Sequence, residues 1–267
     1  MFDERIALGL PSLAGYTILE ALKAARRLGF QSVMSLPGGP NARHSLGEFP
    51  TLRFYEAGER ERRRLREELS RFKRITIHQA WNSGWRSWID CASYFGAELV
   101  TVHHPQMGLR EGIMYLREMG DYAARAGIRI GVENAGGGYE GYIALIEGID
   151  HPAVGATLDI GHCAYFEEVK SLPSLRARIR RLNDLIEELV GRLGGKLFNL
   201  HLHNVRASDW KDHRSLPDGV IDIPRLVDRL KAIGYKGLFV IELEEPEAEA
   251  KAEESGRYLS ELLGRST

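Results

Sequence analysis

Short aliphatic segments alternate with longer amphipathic segments along the whole chain, which is the pattern of a protein built from βα units. The aliphatic segments predict eight strands, at residues 6–10, 32–36, 75–78, 99–103, 129–133, 154–159, 197–201 and 238–242. Apolar residues spaced three and four apart predict helices at residues 17–28, 56–72, 84–95, 110–126, 175–193 and 224–233. Glycine follows four of these helices, where a left-handed C-cap favours it, at Gly29, Gly96, Gly127 and Gly234.

The spacing of the strands indicates how they are arranged. The first and eighth strands begin 232 residues apart, so each repeat takes about 33 residues, the size of a βα unit in a (β/α)₈ barrel. No linker rich in Pro or Ser interrupts the series. We therefore predict that residues 1–267 form a single α/β domain, a TIM barrel, with a doubly wound open sheet as the alternative.

Composition and charge narrow the class of protein. The chain of 267 residues is 43% apolar, and its 36 Lys and Arg nearly balance its 37 Asp and Glu, so the overall charge attracts neither nucleic acid nor a membrane. The two cysteines, Cys91 and Cys163, are too far apart for a zinc-ribbon pair. Without the apolar run of a signal peptide or a span of about 18 apolar residues, we expect a cytoplasmic protein with no membrane partner.

Six of the predicted strands end in a side chain that can bind a metal. Their last three residues are Thr76-Ile77-His78, Thr101-Val102-His103, Gly131-Val132-Glu133, Thr157-Leu158-Asp159, Asn199-Leu200-His201 and Val240-Ile241-Glu242. The middle residue is always a bulky aliphatic, which predicts that it faces the helices while its two neighbours face the barrel lumen. A barrel gathers the C-terminal ends of its strands at the face that holds the active site, so these six side chains should converge.

This convergence predicts a site for a divalent metal ion. Carboxylates and imidazoles crowded into one opening repel one another and lose solvation unless a cation neutralises them. Two Glu, one Asp and one His suit Mn²⁺, Zn²⁺, Co²⁺ or Mg²⁺, and further histidines favour Mn²⁺ or Zn²⁺. His162 follows Asp159 by three residues, so its ring can return to the same opening as a ligand, a substrate contact or a support for a ligand.

Four strings, in this order and spacing, resemble the xylose isomerase-like TIM-barrel superfamily. They are Val132-Glu133-Asn134, Leu158-Asp159-Ile160-Gly161-His162, Leu200-His201-Leu202-His203-Asn204 and Ile241-Glu242-Leu243. This superfamily includes sugar phosphate isomerases and epimerases, ketose 3-epimerases, inosose dehydratases and the endonuclease IV class of DNA repair enzymes.

The resemblance to the isomerase and epimerase branch implies one divalent ion bound by Glu133, Asp159, His201 and Glu242. It also implies that Glu133 and Glu242 move a proton on and off the carbon next to a carbonyl, through a metal-stabilised cis-enediolate. By the same resemblance, His162 contacts a substrate oxygen. A dehydratase that uses the same enediolate would need few changes in these residues.

The resemblance to endonuclease IV implies an alternative, an apurinic-site phosphodiesterase with a multinuclear zinc site. Four histidines match ligands of that branch, at His78, His103, His162 and His213. Two positions depart from it, because Lys211 stands where an acidic ligand is expected and Asn204 replaces an aspartate. These departures and the near-zero net charge favour a small substrate over DNA.

Three further residues are candidates for substrate contact. Trp81, three residues after His78, offers an aromatic ring against which a sugar can lie. His203 follows the predicted ligand His201 by two residues, and Lys211 can meet an anionic or hydroxylated group or belong to a solvated loop.

The sequence therefore favours a metal-dependent isomerase or epimerase of a small sugar, polyol or sugar phosphate, active in carbohydrate metabolism. The zinc-dependent endonuclease is the alternative enzyme, and a non-catalytic metal- or sugar-binding barrel is the third hypothesis. The particular substrate, the number of ions and the oligomeric state are left open.

Overall fold

Eight parallel strands close into a barrel in a computed structural model of the chain. The structure describes residues 1–38, 46–80, 84–135 and 138–264, and the backbone of 43–44. The strands are β1 (Ile6–Gly9), β2 (Ser32–Ser35), β3 (Arg74–His78), β4 (Leu99–His103), β5 (Arg129–Glu133), β6 (Val154–Asp159), β7 (Leu197–Leu202) and β8 (Leu238–Ile241). Each pairs with the next in parallel and β8 pairs with β1, which confirms the TIM barrel and rules out the open sheet.

Helices surround this barrel and connect its strands. In the described part of the chain they are α1 (Ile18–Arg27), α2 (Glu59–Leu69), α3 (Trp85–Phe95), α4 (Leu109–Arg125), α5 (Gly138–Ile149), α6 (Glu167–Lys170), α7 (Leu175–Leu193), α8 (Ile223–Ala232) and α9 (Ala248–Gly264). Short 3₁₀ turns cover Leu10–Leu13, His162–Tyr165 and Gly194–Lys196, and Arg43–His44 pairs with Gly47–Glu48 in a small antiparallel ladder. Of the described helices, none has the length and apolar character needed to cross a bilayer.

The eight predicted strands are confirmed to within one residue at each end, and all six predicted helices are present. Glycine takes a left-handed conformation after α1, α3, α4 and α8, as the C-cap pattern predicts, with φ of 96°, 72°, 70° and 70°. Helices α5, α6 and α9 were not predicted. Helix α5 buries six of its twelve residues, among them Tyr139 and Tyr142, so it lacks a clear polar face. Helix α9 packs partly through small residues such as Ala252 and Gly256, which carry little apolar signal.

The strand register agrees with the predicted alternation, in which the middle residue of each strand end faces the helices and its neighbours face the lumen. The middle residues of the six strand ends are all buried in the core that includes the helices: Ile77, Val102, Val132, Leu158, Leu200 and Ile241. A separate small apolar cluster consists of Ala7, Met34, Leu238 and Val240, on β1, β2 and β8. At the strand ends, His103 lies beside Glu133 and Asp159 beside His201 in the ladder, which brings metal-binding side chains of neighbouring strands together.

Candidate metal centre

Glu133, Asp159, His201 and Glu242 meet at the C-terminal ends of the strands. Each offers a nitrogen or oxygen ligand atom, and these four atoms lie within 4.8 Å of one another. His201 Nδ1 is 3.0 Å from Glu133 Oε1 and 3.3 Å from Glu242 Oε2. The structure thus brings together the four residues that the resemblance to the isomerase branch implies.

Asn134 fixes the backbone that presents Asp159. Its side-chain oxygen accepts a hydrogen bond from the Asp159 N–H at 2.7 Å, and its amide donates to the Asp159 carbonyl oxygen at 2.9 Å. Asn134 is fully buried, so this double contact across neighbouring strands is shielded from water. Sequence reasoning gave Asn134 no role, although it directly follows Glu133.

The Glu133 carboxylate lies between two groups of histidines. Its Oε1 faces His201, while its Oε2 is 3.2 Å from His78 Nε2 and 3.3 Å from His103 Nε2. His78, Glu133 and His201 also satisfy the distances of a metal site. Glu133 can therefore bind one ion with each oxygen, and His78 and His103 stand where a second ion would be held.

His162 lies between the carboxylates of Glu133 and Asp159 and the loop after β7 that carries Asp212. Its Nδ1 is 3.6 Å from Asp159 Oδ2 and 3.7 Å from Glu133 Oε1, and its Nε2 is 3.9 Å from Asp212 Oδ2. Asp212 Oδ1 is also 3.2 Å from His213 Nδ1. Asp212 is therefore a site residue that the sequence analysis missed, because it assigned the acidic position of this loop to Lys211.

The ionisation of these groups suits a cation. Burial alone would raise the pKa of Glu133, but the His201 and His78 imidazoles hold it well below its usual range. Burial alone would lower the pKa of His201, but the Glu242 and Glu133 carboxylates raise it well above its usual value. Burial would also raise the pKa of Asp159, yet His162 and His203 bring it down to about 2. The acidic groups are thus held as carboxylates, and protonated imidazoles balance their charge in the metal-free protein.

The residues present fit a divalent ion. Among the described residues, one buried imidazole nitrogen that faces the carboxylates of the centre, His162 Nδ1, has no hydrogen-bond partner. Burial and the neighbouring His78 lower the pKa of His103 to about 4, so its ring is neutral at physiological pH, as a ligand must be. A mixed set of carboxylates and imidazoles suits Mn²⁺ or Zn²⁺ and also accepts Mg²⁺ or Co²⁺.

Metal affinity is expected to rise with pH. His201 must lose its proton before Nδ1 can bind a cation, and its raised pKa keeps the protonated form present to higher pH. Below that pKa each bound ion displaces one proton, so the dissociation constant should fall about tenfold for each unit of pH increase. Calorimetric titration of Mn²⁺ between about pH 5.5 and pH 8 measures this dependence. An affinity that does not change with pH would contradict it.

His203 is placed differently from its predicted role as a substrate contact. It is fully buried, its Nδ1 accepts a hydrogen bond from the His213 N–H at 2.9 Å, and its Nε2 is 2.9 Å from Asp159 Oδ2. Since Nδ1 accepts, the ring proton is on Nε2, which donates to the Asp159 carboxylate rather than binding an ion. A Cβ on Gly161 would overlap the His203 ring, so glycine at that position gives the ring its space.

Replacing His203 tests this positioning role. His203→Phe removes the hydrogen bond to Asp159 and is expected to weaken metal binding about 10- to 100-fold. His203→Gln keeps an N–H at a similar distance from the backbone and should retain most of the affinity. Titration of Mn²⁺ into both variants measures the difference, and a loss in His203→Gln as large as that in His203→Phe would contradict the role of the hydrogen bond to Asp159.

A cavity of about 240 Å³ opens onto the metal centre. Its described lining combines polar residues with apolar ones. The polar residues are Ser12, His78, His103, Glu133, His162, His213, Glu242 and Glu244, and the apolar residues are Pro11, Met34, Leu36, Phe49 and Leu243. The volume is below the roughly 300–1,000 Å³ of sites for drug-sized ligands, so a small molecule fits it best. The apolar residues lie in or after β1, β2 and β8, and of these residues only Leu243 belongs to a string that the sequence analysis marked.

Lys211 and Trp81 are the two remaining residues that the sequence analysis predicted to contact the substrate. Lys211 is exposed and does not belong to the described lining, since its loop instead turns the Asp212 carboxylate toward His162. Trp81 lies outside the described residues.

Comparisons with known proteins identify the family of the chain and solved structures that share its fold. The model of the xylose isomerase-like TIM barrel family matches residues 22–262, whereas no curated protein matches the chain. Among solved structures, the chain is similar to a D-tagatose 3-epimerase-like protein, with 18% identity, 98% of each chain covered and a TM-score of 0.70. It is also similar to D-allulose 3-epimerase from Methylomonas sp., with 13% identity, 98% of this chain and 99% of that chain covered and a TM-score of 0.68.

A third similar structure is a xylose isomerase-like TIM barrel protein from Mycobacterium smegmatis in complex with magnesium, with 16% identity, 98% of each chain covered and a TM-score of 0.70. At these identities the three structures show a shared fold. The family model extends over most of the chain, from α1 to α9, and includes every strand end of the metal centre. The chain belongs to the xylose isomerase-like TIM barrel family.

Proposed function

We propose that this protein is a divalent-metal-dependent isomerase or epimerase of a small sugar-like molecule. The observation that carries the proposal is the convergence of Glu133, Asp159, His201 and Glu242 on a small cavity, with both glutamates beside His201. The names of two similar structures, a D-tagatose 3-epimerase-like protein and D-allulose 3-epimerase, support the same reaction class. Mn²⁺ or Zn²⁺ is the ion that the ligand set favours.

Glu133, Asp159, His201 and Glu242 would hold the ion, which would polarise the oxygens of the carbonyl and the neighbouring hydroxyl and so acidify the C–H of the carbon that bears this hydroxyl. Glu133 and Glu242 both line the cavity, and their lowered pKa values leave each as a carboxylate that can accept a proton. One glutamate removes the proton from the substrate carbon. The other, once it has taken up a proton from solvent or from a substrate hydroxyl, returns that proton to the same carbon from the opposite face or to the neighbouring carbon. His162, with a side chain 25% exposed, contacts a substrate oxygen.

The same groups support a dehydratase. Removal of a proton next to a carbonyl by Glu133 or Glu242 can be followed by loss of a hydroxide from the adjacent carbon instead of return of the proton. Product analysis separates these outcomes, because an epimerase or isomerase conserves the mass of its substrate whereas a dehydratase loses one water.

One observation favours the endonuclease alternative, the number of possible ligands beyond the four central residues. His78 and His103 lie beside Glu133, and His162 lies near Asp212, which in turn contacts His213, so the centre has enough ligands for more than one ion. Clustered zinc ions would supply a hydroxide nucleophile and stabilise a phosphate transition state. Against DNA as substrate, the net charge is −1, and the described lining of the cavity contains no Lys or Arg.

A chelate-and-restore assay tests the proposal. The protein is stripped of metal, reloaded with Mn²⁺ or Zn²⁺, and assayed on a panel of ketoses and aldoses beside a duplex with one abasic site. We expect metal-dependent conversion of a sugar, with at least one bound ion per chain by elemental analysis. Cleavage of the abasic duplex with two or three ions per chain and no sugar conversion would replace the proposal with the endonuclease.

A further inference from the structure

A second cavity lies beside the metal centre, and the two cavities share His162. It has a volume of about 690 Å³, compared with about 240 Å³ for the cavity at the metal ligands. Residues after β5 and β6 and in α5 and α6 line it, so it opens on the same face of the barrel. We call it the outer cavity. A molecule whose reacting carbon lies at Glu133 and Glu242 can extend past His162 into this space.

The outer cavity presents an aromatic ring that is held in place. The side chain of Tyr165 is 43% exposed, and its hydroxyl donates to the Trp210 carbonyl oxygen at 3.3 Å. Burial raises the pKa of Tyr165 to about 12, so the hydroxyl remains a donor at physiological pH. Beneath this position, Tyr139 and Phe166 are buried and form an apolar floor. A fixed, exposed ring of this kind packs well against the C–H face of a pyranose.

The charges of the outer cavity disfavour a phosphate. Its described lining contains three glutamates and one cation, Lys170, which is paired with Glu167 at 2.7 Å. Glu140 is paired with Arg192 at 3.4 Å. A buried oxygen of the third glutamate, Glu168 Oε2, has no hydrogen-bond partner among the described residues. A phosphate would be repelled by this carboxylate, whereas a hydroxyl group would donate a hydrogen bond to it.

We infer that the outer cavity binds a second, uncharged, hydroxylated ring of the substrate. This inference rests on the proposed function and narrows its substrate class from sugars in general to a ketose that carries a glycosyl unit. The reacting end lies in the small cavity at the metal ligands. The glycosyl ring lies on Tyr165, and one of its hydroxyls donates to the Glu168 carboxylate.

The test compares the binding of D-fructose with that of isomaltulose, which is D-fructose with a glucosyl unit on its distal hydroxyl. Calorimetric titrations use the Mn²⁺-loaded wild type, Tyr165→Ala, Tyr165→Phe and Glu168→Gln. Tyr55→Ala serves as the matched control, because Tyr55 is 48% exposed and lines neither cavity in the described structure. We expect isomaltulose to bind the wild type and the control about tenfold more tightly than D-fructose.

In Tyr165→Ala this ratio should fall to about one, while Tyr165→Phe, which keeps the ring, should retain most of it. Glu168→Gln should reduce the ratio by a factor of about three to ten. Equal affinities of the wild type for the two sugars would overturn the inference but leave the proposed function standing. If neither sugar binds the wild type, this inference fails as well, whereas the proposed function is decided separately by the chelate-and-restore assay on the sugar panel.

Discussion

Glu133→Gln is expected to lower the rate of proton exchange at the substrate carbon by a factor of about 10²–10⁴, the usual contribution of a general acid or base. The substitution keeps the shape of the side chain but removes the charge that faces four imidazoles, two of them within 3.2 Å. Glu242→Gln should give a loss of similar size, because the second glutamate completes the transfer. Exchange of substrate hydrogen with solvent, followed by proton NMR, measures both variants.

Two controls separate the role of Glu133 in proton transfer from its role in metal binding. Elemental analysis shows whether each variant still holds its ion, since a variant that keeps the metal and loses exchange has lost the acid/base group. Glu118→Gln removes a carboxylate on the outer surface of α4, where it pairs with Arg86 at 2.7 Å, and should exchange at the wild-type rate. Retained turnover in both Glu133→Gln and Glu242→Gln would refute the assignment.

Removal of the metal is expected to lower the unfolding temperature by roughly 5–16 °C. An ion present at about 100 to 1,000 times its dissociation constant stabilises the folded state by about 3–4 kcal/mol, and each kcal/mol shifts Tm by about 2–4 °C in a domain of this size. Differential scanning calorimetry with and without a chelator measures the shift. Full recovery of Tm on addition of Mn²⁺ or Zn²⁺ completes the test.

Asp159→Asn provides the matched variant for this experiment. It keeps the backbone contacts with Asn134 but removes one carboxylate from the centre, so the metal-induced shift in Tm should shrink to a small fraction of the wild-type value. A shift of wild-type size in Asp159→Asn, or no shift in the wild type, would show that the ion does not bind at these four residues.

The strands and the six metal-binding side chains at their ends could be predicted from the sequence because two rules define them, whereas the choice of four of these as ligands came from the family resemblance. Alternation of residues along a strand determines which side chains face the lumen, and barrel closure brings the strand ends to one face. His201 and Asp159 are 42 residues apart in the chain, yet they lie side by side in the ladder as the register predicts.

The surroundings of these ligands could not be predicted in the same way, because they depend on loop conformation. Asp212 and Lys211 are neighbours, and the turn of the backbone decides which of them reaches His162; the left-handed φ of 55° at His213 is part of this turn. His203 follows the strand β7, and only the contact of its Nδ1 with the His213 N–H shows that it supports Asp159. Similarly, Met34 and Phe49 become cavity residues through tertiary packing alone.

The most direct test of the central claim, metal-dependent proton transfer next to a carbonyl, is incorporation of solvent deuterium. Metal-loaded protein is incubated in D₂O with a panel of ketoses that includes D-fructose and isomaltulose, and proton NMR follows the carbon next to the carbonyl. We expect deuterium to enter at that carbon as the epimer or aldose appears, to stop on chelation and to resume when Mn²⁺ or Zn²⁺ is restored. Cleavage of an abasic duplex by the same metal-restored protein, with no deuterium incorporated into any sugar, would contradict the account.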